Sequence, residues 1–391
     1  MHIGIQDRTS GSGPEAPVQR RPMIRLRLIV TKSSFALRRC RLLGLLEERK
    51  SGAAVFSHLP NVRYLSGFTG SNAVLLLTGR GATLFTDPRY ELQAAEEVDC
   101  PVKVVRGSLW PEVAKLVRRR KITTLALEAE HLAQAEFARI AAGLGDSVTL
   151  GDVSGLAERL RSVKDPHEIE AIRRSMDLCG RAYLQTLKKI KPGMTENGIA
   201  AELEYRMRRL GAEKPSFETI VAAGERSALP HAQPTGSRLE ANQLLLIDMG
   251  ACLDGYASDM TRVVHTGRAP RLVKRLYDAV LEAHLAAFAM VRPGVTCSAI
   301  DGAARKTLKR FGYDQYFQHS TGHGLGLEIH EAPRVGRLIG DVIEPNMVIT
   351  IEPGAYIPGT GGVRIEDTVL VTDRGAESLT KVPKDFLVLE S

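Results

Sequence analysis

The chain reads as an α+β protein in which a smaller α/β domain leads into a larger domain that uses one α/β unit twice, about an expected pseudo-twofold axis. Three observations predict this. Short apolar runs alternate with amphipathic segments from Phe35 to about Leu160. A long helix then opens at "KDPHEIE". Beyond it, "IKPGMTENGIAAELEYRMRRLGA" (190–212) aligns without a gap on "VRPGVTCSAIDGAARKTLKRFGY" (291–313), with six identities that include Pro192/Pro293, Gly193/Gly294 and Thr195/Thr296.

In the first region "AAVFS", "AVLLLT", "ATLFTD", "VKVVRG" and "TLALE" read as strands, and 35–50, 88–97, 109–120 and 131–141 as helices. Asp165 is the expected N-cap of the long helix, with Pro166 at its first position and Glu168 closing a capping box. The junction is expected at about 155–164. The chain therefore divides into a basic extension over 1–33, expected to be disordered, an α/β domain over 34–157 and a duplicated domain over 158–391. The self-similarity continues past the helices: "NQLLLIDMGA" (242–251) matches "NMVITIEPGA" (346–355), and "SDMTRVV" matches "EDTVLV". Asp248 thus falls opposite Glu352, Asp259 opposite Glu366 and His231 near His330.

With 43% hydrophobic and 25% charged residues, the composition is that of an ordinary globular protein. No apolar run approaches the ~20 residues that span a bilayer, so no membrane partner is expected. Residues 1–50 hold eleven Lys/Arg against four Asp/Glu and account for +7 of the net +8. No Phe, Tyr or Trp falls within the basic extension 1–33 for base stacking, which argues against nucleic acid. Its apolar piece "LRLIV" is too short and too charged for a secretory core, leaving a transit peptide, an upstream start or a plain tail as readings. Five scattered cysteines without CxxC spacing read as reduced thiols, hence a cytoplasmic protein.

Each copy of the repeat ends an apolar run on an acid ("LLLIDMG", "VITIEPG"), turns through a glycine-containing hairpin and returns with a second acid. One such acid reads as a solvated hairpin residue. Four related by a pseudo-twofold would repel one another strongly unless something cationic sits between them. Four carboxylates and one imidazole suit two hard-to-borderline divalent ions such as Mn²⁺. The imidazole is His323, in "HSTGHGLGLEIHEAP", read as a glycine-rich turn running into a strand-like "LEIH". Alignment puts Gly224 opposite it, so His323 breaks the symmetry. His231 and His330 suit hydrogen-bond donation to a carbonyl or oxyanion. Arg364 shares a face with Glu366 on an expected strand and is placed to orient a carboxylate.

The run "IDMGA…SDMTR…HSTGHGLGLEIHEAP…ITIEPGAYIPGTGGVRIEDTVLVT" resembles the pita-bread metallopeptidases, in particular the Xaa-Pro branch of aminopeptidase P and prolidase. "NVRYLSGFTGSNA" (61–73) and "VKDPHEIEAIRRS" (163–175) are typical of that branch, and the resemblance covers roughly 35–391. It implies a creatinase/prolidase-like N-terminal domain before a pita-bread catalytic domain. It also implies Asp248, Asp259, His323, Glu352 and Glu366 as ligands of two divalent ions, with Mn²⁺ expected and Co²⁺ or Zn²⁺ as alternatives. His231, His330 and Arg364 match catalytic positions, and Glu352 would also accept and shuttle a proton. The implied reaction is hydrolysis of the Xaa-Pro bond in peptides with proline second, by a homodimer. Phe217 is the candidate wall for the proline ring and Arg334 for a terminal carboxylate. The lean is to an Xaa-Pro aminopeptidase, with Xaa-Pro dipeptidase as the alternative and a non-enzymatic binding module of the same fold as a minor one. Methionine aminopeptidases usually lack the leading domain, and creatinase-like hydrolases lack the ligands that this chain keeps.

Overall fold

The computed structural model describes residues 32–389. The expected extension lies outside them, apart from Lys32 and Ser33, which open the first helix. The first region runs α1 (Lys32–Glu48), β1 (Ala53–Phe56), α2 (Leu59–Ser66), β2 (Ala73–Thr78), β3 (Gly81–Thr86), α3 (Glu91–Glu97), β4 (Val102–Val104), α4 (Trp110–Arg119), β5 (Thr124–Leu127), α5 (Gln134–Leu144), β6 (Thr149–Asp152) and α6 (Leu156–Ser162). The five expected strands form, and α2, β6 and α6 are additions, the last filling the stretch expected as the junction. The six strands make one sheet in the order β4-β3-β2-β1-β5-β6.

The strands read as unbroken apolar runs because both faces of the sheet are covered. Alternation sends Ala54 and Phe56 to one face, against Leu42, Leu46 and Leu65 of α1 and α2. Ala53 and Val55 go to the other, against Val113, Leu116 and Ile140 of α4 and α5. Helix α6 closes the first of these faces through Leu156 and Ala157.

The second region opens with α7 (Pro166–Leu187), whose capping box forms as expected: Asp165 accepts from the His167 and Glu168 amides while Glu168 accepts from the Asp165 amide at 3.0 Å. There follow α8 (Glu196–Leu210), β7 (Lys214–Pro215), β8 (Ile220–Ala223), β9 (Leu244–Met249), β10 (Ala251–Leu253), β11 (Tyr256–Ala257), β12 (Met260–Thr266) and α9 (Arg271–Met290). The chain continues through α10 (Cys297–Phe311), β13 (Gly322–Gly324), β14 (Glu331–Val335), β15 (Val348–Ile351), β16 (Gly354–Ile357), β17 (Gly361–Arg364), β18 (Asp367–Thr372), β19 (Gly375–Ser378) and β20 (Leu387–Leu389).

The duplication is physical. Thr195 and Thr296 cap α8 and α10 by accepting the amides three residues on, and Gly211 and Gly312 end them in left-handed conformation. Before each helix a glycine amide docks on a distant carbonyl: Gly193 on Leu239 at 2.7 Å and Gly294 on Ile343 at 2.9 Å. Asn242 and Asn346, at equivalent positions, share φ of 60° and 67°. The sheets β20-β12-β9-β8 and β14-β13-β15-β18-β19 carry the copies. Leu245, Ile247 and Met249 pack under α7 and α8, and Ile349 and Ile351 under α9 and α10.

Strand register corrects the sequence alignment twice. Ala223 pairs with Leu245 and Gly324 with Ile349. Leu245 and Ile349 are equivalent, so Ala222 rather than Gly224 stands opposite His323. Likewise Ile247 faces Arg262 and Ile351 faces Asp367, so Arg262 corresponds to Asp367 and Thr261, not Asp259, to Glu366. Those equivalent residues meet at the axis, where Arg262 donates to Asp367 at 2.8 Å with both side chains buried. It also holds the Thr261 and Glu366 carbonyls, at 2.9 and 2.6 Å.

The "LEIH" segment is not a strand. The strand is "GHG", squeezed so closely between neighbours that a Cβ on Gly322 would lie 1.9 Å from the Thr350 carbonyl oxygen and one on Gly324 2.2 Å from that of Ala332. A register shift between His323 and Gly324 then bends the chain out of the ladder until β14.

Removing Arg262 leaves the buried Asp367 with Lys384 as its remaining cationic hydrogen-bond partner and strips the Thr261, Glu366, Val382 and Pro383 carbonyls of their shared donor. Arg262→Ala is expected to lower unfolding stability by about 3–5 kcal/mol, measurable as a shift in the urea midpoint; an unchanged midpoint would refute the axial role.

Candidate metal centre

The two β-hairpins aim their acids at one place. Asp248 lies near the end of β9, Asp259 just before β12, Glu352 just after β15 and Glu366 just before β18. His323 enters from β13. Its Nε2 lies 3.5 Å from both Asp259 Oδ2 and Glu352 Oε1. Ligand atoms of Asp259, His323 and Glu366 all fall within 4.8 Å of one another. The His323 Nδ1 contacts the Gly324 carbonyl at 3.0 Å. A carbonyl only accepts, so Nδ1 carries a proton there and Nε2 is the ring nitrogen turned toward the carboxylates.

Arg364 is buried and organises the acids from one side. Its Nη2 donates to Asp248 Oδ2 at 2.6 Å and its Nε to Thr261 Oγ1 at 3.0 Å, and Thr261 donates in turn to Glu366 Oε2 at 2.7 Å. The expected strand shared by Arg364 and Glu366 is broken at 365–366, so the arginine's direct carboxylate partner is Asp248. The other oxygen, Asp248 Oδ1, is buried with no hydrogen-bond partner.

Burial pushes the Asp259 and Glu366 carboxyls well above their ordinary range, and the neighbouring carboxylates push them further. Glu352 is raised as well, by burial first, against a partial offset from His323 and Arg364. One arginine does not neutralise four acids. An orphaned buried oxygen, an imidazole nitrogen facing carboxylates and a set of oxygen donors with that one imidazole together fit divalent ions, which reverse this proton-holding tendency.

All ten residues singled out in the sequence line one cleft of about 620 Å³. Phe217, His231, His330 and Arg334 join the five acid and imidazole donors and Arg364 there. The His330 ring stands edge-on to that of His323, with centroids 4.4 Å apart. Partial burial in the cleft, then the neighbouring histidines, lowers the His330 pKa.

Sequence reasoning gave no role to His319 or Tyr356, although both lie in quoted runs. Arg364 Nη1 donates to the Tyr356 hydroxyl at 2.7 Å, and that hydroxyl meets His319 Nε2 at 2.8 Å. With the His319 Nδ1–H on the Ser320 carbonyl, the phenol donates to Nε2. Burial and then Arg364 pull His319 down to about 4, so it stays neutral. Burial pushes Tyr356 up to about 12. Tyr356 lies four residues past Glu352, the one available signal, but its partners come from other elements.

A duplicated scaffold that gathers four carboxylates and an imidazole into a cleft defines a metallohydrolase. The chain belongs to metallopeptidase family M24, whose model matches residues 170–373, and the creatinase/prolidase N-terminal domain matches 38–163. The fold is accordingly pita-bread behind a creatinase-like domain. An Xaa-Pro dipeptidase of Pyrococcus furiosus is 38% identical over 84% of this chain and 92% of its own length. The structure of an Xaa-Pro dipeptidase from Bacillus anthracis superposes with a TM-score of 0.89 at 36% identity, covering 91% of this chain and all of that one. An X-Pro aminopeptidase from Thermotoga maritima superposes at 0.84 and 38% identity, covering 90% of this chain and all of that one.

The raised carboxyl pKa values set a sign. A raised folded-state pKa means that the ion-free fold binds protons and loses stability as pH climbs from the ordinary carboxylate range toward the raised values. An ion displaces those protons. The gap in melting temperature between Mn²⁺-loaded and chelator-stripped protein should therefore widen from about pH 5 to about pH 8. A gap that narrows would contradict the assignment of these acids.

Proposed function

We propose that the chain is an Xaa-Pro dipeptidase, which reverses the lean toward an aminopeptidase. The observation that carries this reading is Arg334. It sits on β14 directly opposite His323 in register, lines the cleft and donates its Nε to Ser320 Oγ at 2.8 Å. A dipeptidase must read the substrate's terminal carboxylate, and a guanidinium does so with two parallel hydrogen bonds. The relatives named as Xaa-Pro dipeptidases support the same choice.

Two divalent ions, with Mn²⁺ preferred for this donor set, would be held by Asp248, Asp259, His323, Glu352 and Glu366, and when bound they supply a nucleophile at neutral pH and polarise the carbonyl. Glu352 then takes the nucleophile's proton and passes it to the leaving nitrogen. Its Oε2 also lies 4.0 Å from His319 Nδ1. Arg364 occupies one oxygen of Asp248 and leaves Oδ1 free, fixing the direction in which that carboxylate is offered. His231 donates to the scissile carbonyl. His330 holds the proline side, and Phe217, at the cleft wall, faces the ring. A proline nitrogen brings no N–H to the site, so shape must do the holding. Asp248 also receives the free amine, which restricts cleavage to one end.

Among the described residues no helix is long and apolar enough to cross a membrane, and the five cysteines are free thiols. We assign the enzyme to the cytoplasm on that chemistry; a homodimer follows from the family resemblance.

The test compares an Xaa-Pro dipeptide with the same sequence extended by one residue, both with Mn²⁺. The dipeptide should be the better substrate, and Arg334→Ala should raise its KM by on the order of 10–100-fold while barely changing that of the tripeptide. Faster cleavage of the tripeptide, or equal losses on both, would restore the aminopeptidase reading.

A further inference from the structure

The segment carrying His330 is gripped by α6, which packs on the first domain's core through Leu156 and Ala157 and lies within the 38–163 match, so that the first domain reaches past the expected boundary at 157. Arg161 of α6 is only 2% exposed, among the largest fully buried side chains of the described residues. Its Nη2 donates to Glu328 Oε2 at 2.7 Å and to Glu331 Oε1 at 2.6 Å, so one guanidinium holds the acids on both sides of Ile329 and His330. Its Nη1 donates to Asn61 Oδ1 at 2.7 Å, and Asn61 of α2 is itself fixed by Glu128 at 2.7 Å and Glu158 at 2.6 Å. The bracket is anchored in the first domain by the buried Glu128, which also accepts the Ser57 and His58 amides at 2.6 and 2.8 Å.

Within the segment, Glu331 is the hub. Its Oε1 also accepts the Glu328 amide at 3.1 Å, and its Oε2 meets Lys164 Nζ at 3.2 Å. The carboxylate lies flat on Gly326, where an added Cβ would come within 2.8 Å of either oxygen. Leu327 packs against the cores of both domains. The imidazole between these posts is exposed and touches the His323 ring edge. A buried ionic cluster contributes little net stability compared with apolar packing. What it does contribute is a fixed direction for each group.

We infer that Arg161 is a positioning residue for hydrolysis: by holding Glu328 and Glu331 together it sets where the His330 imidazole stands. The first domain thereby tunes turnover without touching substrate. This rests on the role given to His330 above.

A double-variant cycle separates the two ideas. Full-length wild type, Arg161→Gln, His330→Ala and the combined variant are loaded with Mn²⁺ and assayed on an Xaa-Pro dipeptide, with metal content and melting recorded. Arg161→Gln should retain its metal and lower kcat/KM by on the order of 10²-fold, the usual consequence of misplacing a catalytic group by about 1 Å. In the His330→Ala background the same change should cost less than about twofold, since the group it positions is gone. Equal fold-losses in both backgrounds, no loss in the wild type, or loss of the metal would overturn the positioning role. Should Arg161→Gln fail to fold, Glu328→Gln at the half-exposed post replaces it under the same criterion, with about a tenfold loss expected. If His330→Ala itself leaves turnover intact, the role of His330 fails instead, and the outcomes stay distinct.

Discussion

Repulsion among four carboxylates in one partly buried place is the constraint that organises this molecule. Two like charges about 4 Å apart oppose each other by on the order of 4 kcal/mol near a protein surface, and a folded domain has only about 5–15 kcal/mol in total to lose. Arg364 answers one of the four acids, Asp248, and reaches Glu366 only through Thr261. The rest of the structure holds the acids together against their repulsion. Rigid paired strands deliver them, the Arg262–Asp367 pair locks the copies back to back, and close glycine contacts bring His323 within reach.

The symmetry of the scaffold and the asymmetry of the site are complementary. Caps, glycine stops and left-handed asparagines recur in both copies, because the same packing problem is solved twice. At the centre the copies diverge. Ala222 stands where the other half has His323, and Thr261 where it has Glu366. An asymmetric donor set gives two ions different surroundings, and the cleft acquires a direction along which a substrate can be laid. The first domain meets both copies unequally: Arg63 donates to the Asp254 carbonyl of the first copy, whereas Arg161 and His58 hold the acids of the second copy's histidine-bearing segment.

Much of this was legible in the residues. Strands covered on both faces announced themselves as continuous apolar runs, the "KDPHEIE" cap formed as written, and the repeat brought Asp248, Asp259, Glu352 and Glu366 to one place. Illegible was whatever depended on register or on partners distant in the chain. Hairpins of unequal length hid the two-residue offsets at Ala222 and Thr261. "LEIH" alternates like a strand, yet glycine close packing and a bulge expel it from the ladder. Tyr356 and His319 look like ordinary core residues until Arg364 is seen between the strands. Arg161 lies in a short amphipathic helix, where an arginine ordinarily reads as solvent-facing; only the tertiary fold shows that it is buried.

The most direct measurement is a crystal structure of the Mn²⁺-soaked protein with anomalous scattering recorded at the manganese edge. Two peaks should appear, lying between the Asp248, Asp259, Glu352 and Glu366 carboxylates, with His323 Nε2 within bonding reach of one of them. A map with no peak there, or carboxylates turned apart and hydrogen-bonded separately, would contradict the claim that divalent cations hold this site together.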